Sequence, residues 1–168
     1  MRKFQKNQPW KSPATLFGGK YSEKDRVTLA MSKQYEVALK ARLAERGLKV
    51  FLCDEAPGVN LKRTIFSAFS AADLAIIAAS ATYGRQTTSG FSTYEEMNFL
   101  QTEKKPYFLL KMTPSPNDKW EEVETRATYN MDVWEYWAPG APMPGDLVDK
   151  IVAKLGSVHA AAAPAHSL

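Results

Sequence analysis

Residues 73–110 read DLAIIAASATYGRQTTSGFSTYEEMNFLQTEKKPYFLL. After its aspartate, Asp73–Ala79 is apolar without alternation. A short run of that kind suits a strand buried on both faces, as in the middle of a parallel sheet. A polar loop, Ser80–Gly90, follows. Ser92–Glu103 then reads as a helix that opens with Glu95 and Glu96 and gives way to Lys104-Lys105-Pro106. Tyr107–Lys111 is a second short strand. Strand, loop, helix and strand in this order make a crossover between two parallel strands.

Working outward, Leu61–Ala71 reads as a helix with Leu61, Ile65, Ala68 and Ala72 along one face. The Pro57-Gly58 pair marks Asp54–Asn60 as a loop. Leu48–Leu52 is another strand, ended by Cys53. A long helix is expected over Glu23–Glu45, with Ser22 and Asp25 as a capping start and Gly47 as its stop. The first strand is placed at Ala14–Phe17, running into Gly18-Gly19-Lys20-Tyr21. Two glycines there permit either a tight turn alone or close approach of a ligand to the backbone.

Downstream, Trp120–Thr128 reads as a short helix, and an edge strand is expected within Tyr129–Trp137. Pro144 opens a last helix that should end near Leu155. The expected organisation is a lead-in over 1–13, one domain over 14–155 and a disordered low-complexity tail over 156–168. The pattern implies an α/β fold, a flavodoxin-like three-layer sandwich with a parallel sheet of about five strands and helices on both faces. Ligands of such sheets bind at the carboxyl ends of the strands. Gly18–Tyr21, Asp54–Asn60 and Ser80–Gly90 meet that description.

Composition narrows the function. The chain has 168 residues, enough for one domain with a real core, and 45% of them are hydrophobic. No run approaches the ~20 apolar residues of a membrane span. The basic start, MRKFQKNQPWKSP, has no apolar segment of the kind a secretory signal needs. One cysteine, Cys53, excludes an internal disulfide and a multi-cysteine metal site. A reducing, cytoplasmic setting fits, and no metal site is expected. The net charge of +4 is mild and scattered, so nucleic acid is not an expected partner, while phosphate-bearing small molecules are compatible. His159 and His166 lie in the expected tail and are poor candidates for catalysis.

That leaves the two glutamates. As neighbours on a helix they point about 100° apart. With Thr93, Met97 and Leu100 taken as the core-facing stripe, Glu96 lies at its edge and Glu95 points away. Ser92 with Glu95 matches a capping box, and Thr93 with Glu96 matches the same pattern one residue later. From spacing alone, both are equally readable as solvated first-turn carboxylates that favour the helix dipole.

The ordered set of motifs resembles a Toll/interleukin-1 receptor (TIR) domain. Lys20-Tyr-Ser-Glu-Lys-Asp25 is similar to the first-loop motif of that family, and Arg46-Gly-Leu-Lys-Val-Phe51 resembles its second strand. Asp54-Glu-Ala-Pro-Gly58 and Ser70–Ser80 look like its second loop and third strand. The likeness covers about residues 14–111 and continues more faintly to 155. Ser92-Thr-Tyr-Glu-Glu96 also resembles the helix start of nucleoside deoxyribosyltransferases, with Ser for Gly. Phe91-Ser92 stands where many TIR domains carry Trp-Cys, and Gly18-Gly19 where the family often has Ser-Tyr or Ser-Phe.

In TIR domains that cleave NAD, the catalytic glutamate opens the helix before the fourth strand and an apolar residue follows it. The resemblance therefore implies Glu96 as the catalytic residue. It implies Phe17, Gly18, Gly19, Lys20, Tyr21, Asp54, Tyr83, Arg85 and Ser92 as substrate-binding positions. NAD would be a substrate rather than a resident cofactor, and the products would be nicotinamide with ADP-ribose or a cyclic ADP-ribose. The resemblance further implies a signalling role and a homo-oligomer, with Pro57-Gly58 as the docking element. Two alternatives stay open: a non-enzymatic TIR adaptor acting by homotypic association, and a nucleoside deoxyribosyltransferase or glycosidase.

Overall fold

The computed structural model describes residues 26–30, 33–51, 60–87 and 92–163. Five strands form one sheet: β1 (Arg26–Ala30), β2 (Lys49–Phe51), β3 (Leu74–Ser80), β4 (Tyr107–Met112) and β5 (Glu135–Tyr136), in the order β2-β1-β3-β4-β5. Every pairing is parallel. Ala75 faces Tyr107 and Ser80 faces Met112 across the β3–β4 pair, as expected for the crossover. Five helices connect them: α1 (Lys33–Glu45), α2 (Leu61–Ala71), α3 (Thr93–Thr102), α4 (Val123–Tyr129) and α5 (Leu147–Ala162).

The start of the chain corrects the sequence reading. The strand between β2 and β3 is Arg26–Ala30, inside what the periodicity assigned to a helix from Glu23, and α1 begins only at Lys33. Val27 and Thr28 are β-branched, and a central place in the sheet settles the matter for such a run. Ala14–Phe17, expected as the first strand, lies outside the described residues.

Alternation along β3 shows why its sequence has no polar positions. Leu74 and Ile76 pack into a cluster with Leu39 and Leu43 of α1 and Ile151 and Leu155 of α5. Ala75, Ile77 and Ala79 join the opposite cluster with Ile65 and Phe69 of α2 and Met97 and Leu100 of α3. Helices cover both faces, which is the three-layer arrangement. The Asn60 side chain caps α2 by accepting from the Arg63 amide at 3.1 Å.

α5 gives a second correction. It continues through Gly156 and His159 to Ala162, where a disordered tail was expected. The tail's alanines are the best intrinsic helix formers, so a helix packed through Leu155 extends along them. Among the described residues no helix is long and apolar enough to cross a membrane.

Candidate functional site

In the order β2-β1-β3-β4-β5, chain direction across the sheet reverses between β1 and β3. A crevice opens at such a switch point, outside the carboxyl ends of the strands. α1 follows β1 and α3 follows β3, on opposite faces of the sheet. Both helices start beyond the strand ends, and the charge of Glu36 reaches Glu96. Glu36 lies in the first turn of α1 and Glu95 and Glu96 in that of α3.

The two neighbouring glutamates have different environments. Glu95 closes a capping box with Ser92. The Ser92 amide donates to Glu95 Oε2 at 2.7 Å, and the Ser92 hydroxyl bonds the same oxygen. Those hydrogen bonds, led by that of the Ser92 side chain, hold the Glu95 carboxyl below the usual range. Glu96 has no such support. Its Oε2 is buried and without a hydrogen-bond partner among the described residues. Burial, then the charge of Glu36, then that of Glu95 push the Glu96 carboxyl from 4.5 up to about 7. This is the environment in which a carboxylate can act at neutral pH.

The loop after β3 is held against the start of α3. The Gly84 amide donates to Thr93 Oγ1 at 2.9 Å, and the Thr125 hydroxyl of α4 donates to the Tyr83 carbonyl at 2.5 Å. Gly84 has φ +85°, and a Cβ there would collide with the Thr125 hydroxyl. Glycine is needed both for the left-handed backbone and for that close approach.

The remaining expected site residues sort as follows. Tyr83 is buried, and its ring packs 6.3 Å from that of Tyr129, so it is a core residue rather than a surface for stacking a ligand. Arg85 is ion-paired with Glu122, 2.8 Å from Nε, and with Glu121 through Nη2, and its side chain is half exposed. Ser92 is buried in the cap. Phe17, Gly18, Gly19, Lys20, Tyr21, Asp54 and the Pro57-Gly58 pair lie outside the described residues. The loop that leaves β1 starts after Ala30, so Gly18–Tyr21 do not follow that strand. Among the described residues no cluster of three or more His, Cys, Asp or Glu could hold a metal.

Glu36 is the residue that the sequence reading missed. Placing it mid-way along a helix from Glu23 hid its position in a first turn beside the crevice. The β-branched Val27-Thr28 pair was the available signal for a strand, and with it for a helix start near Lys33.

No protein-family model matches the chain, and no curated protein matches it. Solved structures similar to it include a CheY-like response regulator receiver domain from Methanospirillum hungatei JF-1, at 11% identity and TM-score 0.49, covering 83% of this chain and 99% of that one. The RPS4 and RRS1 TIR domain heterodimer matches at 9% identity and TM-score 0.49, covering 80% and 96%. A CMP N-glycosidase, BcmB, from Clostridium botulinum matches at 17% identity and TM-score 0.46, covering 76% and 98%. The fold assignment itself rests on the strand order and parallel registers of this chain.

Proposed function

We propose that this chain is an N-glycosidase of the TIR type that cleaves the bond between ribose and nicotinamide in NAD, with Glu96 as the catalytic residue. The observation that carries the reading is the desolvated Glu96 carboxyl near the sheet's switch point, whose Oε2 has no hydrogen-bond partner among the described residues. The TIR-like Asp54–Gly58 and Ser70–Ser80 segments in the sequence support the choice of substrate, while Lys20–Asp25 precedes β1 and takes no part in that support.

In NAD the scissile bond joins the anomeric carbon to a cationic ring nitrogen. When it breaks, the electron pair leaves with nicotinamide, which departs neutral without a general acid. The sugar becomes oxocarbenium-like, and an ionised Glu96 beside it offsets the developing positive charge. A water molecule then adds to the anomeric carbon and loses a proton, giving ADP-ribose. Attack by the adenine end gives a cyclic product instead. Glu36 adds negative potential at the crevice, and Glu95 holds the helix start through its cap.

A second reading is favoured by the Glu96 carboxyl lying near 7, where a share of it is protonated at neutral pH. Such a group can give a proton to a neutral leaving nucleobase, which suits a nucleoside or nucleotide N-glycosidase. Purified protein incubated separately with NAD and with nucleoside 5′-monophosphates, at rising protein concentration, separates the readings. Nicotinamide release supports the first and free nucleobase the second. Neither product at any concentration leaves a non-enzymatic TIR adaptor. Self-association is part of the proposal, and rising specific activity with concentration is its signature.

A further inference from the structure

The start of α3 has a neighbour of opposite charge, and the packing of α2 shows where it stands. α2 and α3 each follow a strand of one parallel sheet, so both start at its carboxyl end and run side by side in the same direction. Both pack on the same face. Phe66 of α2 stacks on Phe99 of α3 at 4.5 Å between ring centres, and Phe69 lies 6.0 Å from the same ring. Lys62 stands four residues before Phe66, and Glu95 four before Phe99. Four residues advance a helix by about 6 Å. Lys62 and Glu95 are therefore at one level, a turn nearer the crevice than the stacked rings. At about 100° per residue, Lys62 falls between Phe66 and Phe69 in projection down α2 and so faces α3, while Arg63 points about 60° beyond Phe66, away from it. Lys62 Nζ lies 5.7 Å from the centre of the Phe66 ring. Led by the Ser92 hydrogen bond, the influences that lower the Glu95 carboxyl include the charge of Lys62, whereas burial and then Glu36 raise Glu96. The charges thus run from Glu36 on α1 through Glu96 and Glu95 to Lys62 on α2.

Lys62 is exposed, and the ion pairs among the described residues do not include it. Arg85 by contrast carries two carboxylates, and Lys104 and Lys105 lie past the far end of α3. We propose that Lys62 is a substrate-binding residue that holds the 5′-phosphate of the ribose whose anomeric carbon sits at Glu96. The inference rests on the glycosidase reading for the place of that sugar, and it deepens that reading. NAD and the nucleoside 5′-monophosphates share a ribose 5-phosphate, so the contact serves either substrate. A phosphate turned toward α1 meets the like charge of Glu36. One turned toward α2 meets an ammonium that can donate to it, a charge-assisted bond. Glu95, between the two, is drawn into its cap by the Ser92 amide and hydroxyl. The substrate therefore lies with its phosphate on the α2 side of the crevice.

The test compares ribose 5-phosphate with ribose as ligands of the full chain, titrated by NMR. Wild-type protein should bind the phosphate ester about tenfold more tightly than the plain sugar, on the scale of one hydrogen bond between charged groups. Lys62→Gln should erase most of that preference, and Lys62→Arg should keep it to within about threefold. Arg63→Gln removes the same charge one residue away and should keep it to within about twofold, because an exposed charge that makes no contact is screened. A wild type with no preference for the phosphate ester overturns the proposal. So does a folded Lys62→Gln that keeps the preference, or an equal loss in Arg63→Gln. In active protein the loss in Lys62→Gln should fall on KM for NAD rather than on kcat, since the phosphate is held alike before and during bond cleavage. A fall in kcat at unchanged KM also overturns it. The titration needs no turnover, so a phosphate preference that depends on Lys62 without any nicotinamide release would count against the NAD reading alone.

Discussion

The Lys111 ammonium and the Glu96 carboxyl are both drawn in from solvent, and they are treated in opposite ways. Lys111 on β4 is 6% exposed, yet its ammonium is fully occupied. It donates to the Pro116 carbonyl at 2.7 Å and sits 5.0 Å and 4.7 Å from the rings of Trp120 and Trp134. Hydrogen bonding and two aromatic faces replace the water it gave up. Glu96 gave up water and received like charge from Glu36 and Glu95, with no partner for Oε2 among the described residues. A buried charge kept for structure is paired, because an unpaired one costs stability. The unpaired one therefore marks the place where the fold carries a cost for chemistry.

The sharpest way to break this comparison is at Glu96 itself. Glu96→Gln keeps shape and helix propensity but removes the charge, and should lower nicotinamide release by ~10²–10⁴. Glu95→Gln should lose far less, since that residue serves the cap. Comparable activity in the two variants, each confirmed as folded by circular dichroism, would remove Glu96 from the mechanism.

Next comes the clamp that holds the unpaired site together. Gly84→Ala must adopt a left-handed backbone and displace the Thr125 hydroxyl. A loss of about 2–4 kcal/mol in urea unfolding is expected. A loss under about 0.5 kcal/mol would mean that the loop relaxes freely, as an ordinary surface site does.

Lys111→Met tests the paired side. Methionine fills the stem's volume but gives up the bond to Pro116 and both ring contacts, at an expected cost of about 1–3 kcal/mol. Nicotinamide release should stay at the wild-type level in protein that remains folded. A variant of wild-type stability would show that Lys111's pairing merely balances its burial.

The smallest expected effect is the pH dependence of stability. Glu96 is raised from 4.5 to about 7, so between those values the native state holds a proton that the unfolded state has released. The contribution is complete below the unfolded value and is lost as pH rises through the folded one. Wild-type stability should fall by about 2 kcal/mol between pH 5.5 and 7.5 relative to Glu96→Gln, measured by urea unfolding at those two values. Parallel curves for the two proteins would contradict the burial of an unpaired carboxyl.

The middle of the chain was legible because each element carried its own signal. The apolar run of β3, the Asn60 cap and apolar face of α2, and the Ser92–Glu95 box of α3 are local features. β1 was hidden because Arg26–Ala30 is short and loosely compatible with a helical period, and only its place between β2 and β3 decides it. The helical end of α5 was hidden by the habit of reading alanine-rich termini as disordered. At the site, Glu96 could be singled out by its place on the helix. Its electrostatic partner Glu36 could not, because a misplaced helix start put it elsewhere. Arg85 gave no sign of its ion pairs because Glu121 and Glu122 are distant in sequence and close only after folding. Tyr83 gave no sign of whether it faced solvent or core.

The central claim is that an ionised Glu96, raised by its surroundings, does the chemistry. The pH dependence of kcat/KM for nicotinamide release, followed from pH 5 to 9 on assembled wild-type protein, tests it most directly. Because kcat/KM reports the free enzyme, the rate should rise with pH and reach half its plateau near the Glu96 value of about 7. A profile already flat at pH 5, or one that falls as pH rises through 7, would contradict the claim.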